Sequence, residues 1–124
     1  MASARILIAD DEADLRLVLI KRLEAWGYTV AAAADGIEAV QLATAQPPQL
    51  LLLDVMMPKL SGLEVARQLQ SAPDTAKIPI VLLTARGKQL VADEVRALGI
   101  RAVLHKPYET EELRRTIQDV VGTS

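Results

Sequence analysis

The stretch Leu50-Leu51-Leu52-Leu53-Asp54 decides the fold prediction, because four consecutive aliphatic residues end abruptly at a carboxylate. A short apolar run without polar alternation is typical of a strand buried on both faces of a parallel sheet. Three more runs end in the same way: residues 6–9 before Asp10-Asp11-Glu12, residues 80–83 before Thr84, and Val103-Leu104 before His105-Lys106-Pro107. If these runs are parallel strands of one sheet, their polar ends meet at its carboxyl edge, where open α/β sheets bind ligands.

Segments of helical periodicity alternate with the apolar runs five times. We expect strands over residues 6–9, 28–33, 50–54, 80–84 and 101–104, and helices over residues 14–26, 37–45, 62–70, 90–98 and 109–121. In the first helix, Leu15, Leu19 and Leu23 recur every four residues with Val18 and Trp26 beside them, which predicts the face that packs on the sheet. The alternation is typical of an α/β domain with a parallel sheet covered on both faces.

Length and composition narrow the class of protein. A chain of 124 residues is expected to form a single domain spanning residues 1–124. The net charge of −2, with neither sign dominating a long stretch, argues against a nucleic-acid or anionic-membrane surface. The chain has no cysteine, no apolar run near the ~20 residues that cross a bilayer, and no signal-peptide order at its start, so we expect a soluble, cytoplasmic protein.

The polar residues at the strand ends form the inventory of a phosphoryl-transfer site. Asp10, Asp11 and Asp54 would repel one another in a confined cleft unless a pKa rises or a cation binds. Mg²⁺ prefers a few carboxylates together with water and phosphate oxygens. With the ion bound, one carboxylate can act as a nucleophile toward phosphorus, while Lys106 offers a positive charge and Thr84 a hydroxyl donor to the transferring group.

Each of these residues also has a purely structural interpretation. An acidic pair before a helix, such as Asp10-Asp11, commonly caps the helix N-terminus. Taken alone, Thr84 is typical of a hydrogen-bonded hydroxyl at a strand end, and Lys106 of a solvated surface charge. Lys106-Pro107 makes the lysine more informative, because the residue before a proline is kept out of helical geometry.

The four motifs together resemble the receiver domain of bacterial two-component response regulators, and the resemblance covers essentially the whole chain. The motifs are Ile8-Ala9-Asp10-Asp11-Glu12, the stretch Leu53-Asp54-Val55-Met56-Met57-Pro58-Lys59-Leu60-Ser61-Gly62, Leu83-Thr84-Ala85, and His105-Lys106-Pro107-Tyr108. The resemblance implies a flavodoxin-like, doubly wound five-stranded sheet of order 2-1-3-4-5 with five helices.

The resemblance also implies a function and a role for each site residue. Asp54 would accept a phosphoryl group from the phosphohistidine of a sensor histidine kinase or histidine phosphotransfer protein. Mg²⁺ would be held by Asp11, Asp54 and the backbone carbonyl of Met56, with Asp10 contacting it through water, and Thr84 and Lys106 would hold the phosphoryl oxygens. Such a module catalyses its own phosphorylation and slow dephosphorylation but turns over no external substrate.

Phosphorylation in this family remodels the surface formed by the fourth helix, fifth strand and fifth helix, which then binds a partner or a second copy. An aromatic residue usually takes part in that change, and here Val103 occupies its position. Tyr108, after the proline, is expected to pack under the last helix. Met56 and Arg86 border the path of the attacking water in the family, so their bulk would slow hydrolysis of the acyl phosphate.

Other classes of protein remain open on the sequence. Val103 keeps a phosphorylation-independent scaffold with the same fold as the main alternative. A phosphatase of the haloacid dehalogenase type is a further one, although it calls for an Asp-x-Asp pattern after the first strand, and an FMN carrier calls for a hydroxyl- and glycine-rich loop there. Quenching of Trp26 by Mg²⁺, or a Mg²⁺-dependent shift in melting temperature, would argue against the scaffold.

Overall fold

The computed structural model describes residues 4–84 and 95–122 in full and residues 92–94 by their backbone, and within these it contains five strands and five helices. The strands are β1 Arg5–Ala9, β2 Thr29–Ala33, β3 Leu50–Asp54, β4 Ile80–Thr84 and β5 Ile100–His105. The helices are α1 Ala13–Ala25, α2 Gly36–Ala45, α3 Gly62–Gln70, α4 Ala92–Ala97 and α5 Thr110–Val121. All strand pairs are parallel in the order β2-β1-β3-β4-β5, which confirms the predicted fold.

Most predicted boundaries lie within two residues of those in the structure. β2 begins at Thr29 rather than Tyr28, and the predicted start of the fourth helix at Leu90 lies outside the described residues. β5 contains an irregularity that the sequence did not reveal: Ile80 pairs with Ile100 whereas Val81 pairs with Ala102, so Arg101 is an extra residue on that strand.

The core lies in two layers, one on each face of the sheet. On one face, α2 and α3 cover alternate residues of the central strands, including Leu51, Leu53 and Leu82. On the other face, α1 and α5 cover Leu50 and Leu52. The four leucines of β3 are completely buried, as predicted for a strand packed on both faces. Burying such a side chain stabilises the fold by roughly 1.5–3 kcal/mol, so β3 is a rigid base for the residue that ends it.

The prediction that the whole apolar stripe of α1 faces the sheet was wrong. Leu19 and Leu23 are buried against the strands, but Leu15 is 40% exposed and Val18 is 45% exposed. These two side chains lie in the first half of the helix, where they line a cavity of about 430 Å³ beside Pro107 and Tyr108 instead of packing on the strands. The start of α1 therefore borders the carboxyl edge of the sheet.

Candidate functional site

The carboxyl edge of the sheet brings together the polar residues that the sequence placed at the strand ends. Asp10 follows β1 directly, Asp54 ends β3, Thr84 ends β4, and Lys106 follows β5. Asp10 and Thr84 are fully buried and Asp54 is only 4% exposed, whereas Asp11 is exposed. The buried carboxylates are thus fixed by the strands, and Asp11 stands at the opening of the site.

Lys106 is the centre of the ionic contacts in this site. Its Nζ lies 3.0 Å from Asp54 Oδ2 and 3.5 Å from Asp10 Oδ2. Its backbone N–H donates to the Thr84 carbonyl at 2.7 Å, which ties the ends of β4 and β5 together. The Lys106–Pro107 peptide bond is cis. One ammonium group therefore bridges two carboxylates from different strands.

Backbone amides and a side chain of α1 fix the carboxylates further. Asp10 Oδ1 accepts a hydrogen bond from the Glu12 N–H at 2.9 Å, and Asp54 Oδ1 accepts one from the Met56 N–H at 3.0 Å. Arg16 Nη1 donates to the Asp10 carbonyl oxygen at 2.7 Å. The N-cap of α1 is Glu12, which makes no capping hydrogen bond through its side chain, so neither Asp10 nor Asp11 occupies the N-cap position.

The loop after β3 closes against the site because glycine stands at a point of close approach. A Cβ atom at Gly62 would lie 2.4 Å from the Asp54 carbonyl oxygen and 2.9 Å from Val55 Cα. The Gly62 N–H donates to the Val55 carbonyl at 2.9 Å, and Ser61 caps α3 in a reciprocal pair with Glu64. The first turn of α3 thus rests on the backbone of Asp54 itself, where no other residue fits without displacing it.

The same loop contains one residue in a left-handed conformation. Lys59 has φ 71°, and the Leu60 N–H donates to the Pro58 carbonyl at 2.8 Å across it, which closes a tight three-residue turn. The Lys59 ammonium lies 3.3 Å from Asp35 Oδ2, at the N-terminus of α2. The turn is therefore linked to the neighbouring helix and holds the peptide chain close to the carboxylates.

Burial and charge act in opposite directions on the ionisable groups. Desolvation raises the pKa of Asp54 above its usual value, although the hydrogen bond from Lys106 and that from the Met56 amide both favour its charged form. Burial alone would lower the pKa of Lys106, but the hydrogen bond and charge of Asp54, together with Asp10, outweigh it and raise that pKa. The lysine is thus firmly cationic, and Asp54 is a carboxylate that water solvates poorly.

The donor set fits a hard divalent cation. Asp10, Asp11 and Asp54 each present a carboxylate oxygen, and these oxygens all lie within 4.8 Å of one another. Oxygen ligands from one to three carboxylates, completed by water, suit Mg²⁺ better than softer metals. Among the ion pairs of the described residues, Lys106 is the one positive side chain that contacts the two buried carboxylates. The three carboxylates therefore keep a net negative charge, which a bound cation would neutralise.

The sequence identified the carboxylates and Lys106 but missed Arg16. Its position, six residues after Asp10 and in the first half of a predicted helix, was a usable signal because that part of the helix borders the strand end. Val103 is partly buried and packs in the layer that contains Leu82, its partner in β4. Arg86 lies outside the described residues. Tyr108 packs against the layer under α1 and α5, as expected.

Comparison with known proteins places this geometry in a family. The model of the response regulator receiver domain matches residues 6–118. The response regulator MprA of Mycobacterium ulcerans is 46% identical over 113 residues, which are 90% of this chain and 47% of that protein. The probable transcriptional regulator ycf27 of Cyanophora paradoxa is 41% identical over 119 residues, which are 94% of this chain and 48% of that protein. The chain spans about half the length of these curated relatives.

A solved structure supports the same assignment. The receiver domain of the sensor histidine kinase PA1611 from Pseudomonas aeruginosa, crystallised with magnesium coordinated in its active-site cleft, superposes with a TM-score of 0.87. It is 31% identical, and the match covers 98% of this chain and 99% of that one. The fold and the acidic edge define a signalling module of the two-component type. The chain belongs to the family of response regulator receiver domains.

The search for membrane-spanning helices covers the described residues. Within that part of the chain, every helix is too short or too polar to cross a bilayer.

Proposed function

We propose that Asp54 is the phosphoryl acceptor of this receiver domain and that the reaction depends on Mg²⁺. The observation that carries the proposal is the arrangement of one desolvated carboxylate, Asp54, 3.0 Å from the Lys106 ammonium and within a cluster of two further carboxylates. The donor is the phosphohistidine of a sensor histidine kinase or of a histidine phosphotransfer protein. Residues 1–124 are proposed to form one receiver domain.

The chemical step is a displacement at phosphorus. An oxygen of the Asp54 carboxylate forms a bond to the phosphorus while the bond from phosphorus to the donor nitrogen breaks, and the imidazole leaves with the bonding pair and takes up a proton. The product is a mixed anhydride between the Asp54 side chain and phosphate. Burial favours this role because a poorly solvated carboxylate loses little hydration as the nucleophile is engaged.

Lys106 changes partner during this reaction. In the structure its ammonium neutralises Asp54, and in the product the carboxylate charge is replaced by that of the phosphoryl oxygens. Since the pKa of Lys106 is raised, it stays cationic at neutral pH and can follow the charge onto the phosphoryl group. The hydroxyl of Thr84, at the end of the neighbouring strand, is the proposed donor to a second phosphoryl oxygen.

Asp10, Asp11, Asp54 and the backbone carbonyl of Met56 are the proposed groups that hold Mg²⁺. When bound, the ion neutralises negative charge between the phosphoryl donor and the acceptor. Met56 is 52% exposed, so its thioether is free to restrict water near the acyl phosphate. We expect Met56→Ala to shorten the phosphoryl lifetime.

The proposed response to phosphorylation is a rearrangement of the face formed by α4, β5 and α5. In this face Val103 replaces the usual aromatic residue, so the change must be transmitted without a rotating ring.

The test is intact mass spectrometry after incubation with Mg²⁺ and acetyl phosphate. We expect the wild-type chain to gain the mass of one phosphoryl group, and we expect no gain in Asp54→Asn or in EDTA. Asp74→Asn is the matched control, since Asp74 is an exposed carboxylate in the turn after α3 and should not affect labelling.

Failure of the wild type to gain mass would be resolved by titrating it with Mg²⁺. If the wild type binds Mg²⁺ but is not labelled by acetyl phosphate, only a kinase can serve as the phosphoryl donor. Absence of both would reject the proposal in favour of a phosphorylation-independent scaffold. Labelling of Asp54→Asn equal to that of the wild type would place the acceptor on another residue.

A further inference from the structure

Arg16 makes the contact that connects helix α1 to the acidic site. Its Nη1 lies 2.7 Å from the carbonyl oxygen of Asp10, a short distance for a hydrogen bond with a charged donor. Arg16 is half-buried, and its backbone N–H donates to the Glu12 carbonyl at 2.9 Å in the first turn of α1. Side chain and backbone of one residue therefore hold both ends of the short segment from Asp10 to Glu12.

The bonded carbonyl belongs to the peptide unit that joins Asp10 to Asp11. A peptide unit is planar, so fixing its oxygen also fixes the direction in which Asp11 leaves β1. Asp10 is already held elsewhere: its N–H donates to the Ala33 carbonyl at 3.2 Å, and its carboxylate accepts from the Glu12 amide and from Lys106. Asp11 is exposed at the opening of the site, and the peptide plane that joins it to Asp10 limits where its carboxylate can lie.

We propose that Arg16 is a positioning residue for the cation site: by holding the Asp10–Asp11 peptide plane, it aims the Asp11 carboxylate at the position shared with Asp10 and Asp54. The inference rests on the proposed function, since it assigns a role to Arg16 in binding Mg²⁺. Arg16 touches neither the metal nor the phosphoryl group in this scheme, and it acts through the backbone of Asp10.

Electrostatics alone predicts the opposite effect. A positive charge next to three carboxylates opposes binding of another cation, so removal of Arg16 would strengthen Mg²⁺ binding if the guanidinium did no more than neutralise the cluster. Loss of a group that orients a metal ligand instead weakens binding, typically by about 10–100-fold. The direction of the change in Mg²⁺ affinity therefore separates the two roles.

The experiment is calorimetric titration of the unphosphorylated chain with Mg²⁺, which does not depend on phosphorylation. We expect Arg16→Met, which keeps an unbranched apolar stem but has no donor, to bind Mg²⁺ about tenfold more weakly than wild type. Lys21→Met is the matched control because it removes the same charge from an exposed position on α1. We expect its affinity to stay within twofold of wild type. Labelling of Arg16→Met by acetyl phosphate should fall at low Mg²⁺ and recover as Mg²⁺ is raised.

Equal or tighter binding by folded Arg16→Met would overturn the positioning role. So would a lower melting temperature with unchanged Mg²⁺ affinity, because that result describes a residue that only stabilises the fold. If Arg16→Met does not fold, Arg16→Leu, which also has no donor, is measured in the same way, with the same loss expected. Wild-type chain that binds no Mg²⁺ would reject the proposed function and this role together, whereas the ratio of variant to wild-type affinity tests the role of Arg16 alone.

Discussion

Replacing Lys106 by methionine should make the stability of the domain depend on pH in a defined way. The substitution keeps the length of the side chain but leaves Asp10 and Asp54 without the ammonium that lies 3.5 Å and 3.0 Å from them. Both carboxylates are almost completely buried, so water cannot replace the lost charge. Removing one partner of a buried ion pair destabilises proteins by about 3–5 kcal/mol. Because the Lys106 side chain is 21% exposed, we expect a loss of about 3 kcal/mol at pH 7, at the low end of that range.

The loss of stability in Lys106→Met is limited, because the folded variant can relieve the repulsion between Asp10 and Asp54 by protonating one of them. Starting from the ordinary Asp pKa of 3.8, protonation costs about 4 kcal/mol at pH 7 and about 1.6 kcal/mol at pH 5, at 1.36 kcal/mol per pH unit. A carboxyl whose pKa is raised in the folded state keeps a proton that the unfolded chain has lost, so its contribution to stability is greatest below pH 3.8 and falls as pH rises toward the folded pKa. Lys106 of the wild type is charged throughout this range. The difference between variant and wild type should therefore be smaller at pH 5 than at pH 7.

The assay is urea unfolding of both chains at pH 5 and pH 7 in EDTA, followed by the same measurement at pH 7 with Mg²⁺. Mg²⁺ should restore part of the lost stability of Lys106→Met, since the ion neutralises the same carboxylates. Lys59→Met is the control, because Lys59 pairs with Asp35 at an exposed position and the pKa of Asp35 is lowered, so its effect should not vary between pH 5 and pH 7. A Lys106→Met chain as stable as wild type at pH 7, or a difference that is the same at both values, would refute the reasoning.

Three further predictions concern the scaffold around the site. Gly62→Ala should lower the free energy of unfolding, measured in urea, by about 1–3 kcal/mol and should slow labelling by acetyl phosphate, because the alanine Cβ would displace the backbone of Asp54. An unchanged urea midpoint would show that α3 can move away freely. Leu52→Ala should cost about 3–5 kcal/mol of stability, measured in the same way, because Leu52 is fully buried under α1 and α5; a loss below 1 kcal/mol would contradict a rigid β3. Trp26 fluorescence should be insensitive to Mg²⁺, because Trp26 ends α1 about 20 Å from the start of that helix at the site and stacks on Arg114. Absence of quenching is therefore no argument for a scaffold, contrary to the expectation from the sequence, and strong quenching would show that the ion changes the far end of the helix.

The sheet and most of the site could be predicted because both depend on patterns that are local in the sequence. Leu50 to Leu53 indicate a strand buried on both faces, and Asp54 must then lie at its carboxyl end. The exposure of Leu15 and Val18 could not be predicted in the same way, because helical periodicity identifies an apolar face but not how far the helix extends beyond the sheet. The extra residue at Arg101 was missed for a similar reason: a bulge depends on the pairing of two strands.

The contacts of Arg16 and Gly62 could be predicted from the sequence only in part. The sequence placed Gly62 at the start of the third helix, but the reason for a glycine there is that a Cβ atom would lie 2.4 Å from the Asp54 carbonyl oxygen, which only the packed structure reveals. Arg16 could be placed near the site from its distance along α1, yet its acceptor is a main-chain carbonyl, and every residue has one. Sequence patterns thus identify groups with unusual chemistry more readily than they identify the ordinary groups that hold them.

The acidic site opposes the stability of the fold that carries it, and in the proposed function the same desolvation makes Asp54 reactive. A strand that is buried on both faces, β3, delivers Asp54 to a place where desolvation raises its pKa, next to another buried carboxylate and a single shared lysine. A surface carboxylate would destabilise the fold less, but water would solvate it and its side chain would adopt many orientations. Because β3 is packed on both faces and Gly62 lets α3 rest on the Asp54 backbone, the fold can hold a poorly solvated charge in one place. In the proposed mechanism the aliphatic core therefore has a part, since it supplies the stability that offsets the cost of this arrangement of charges.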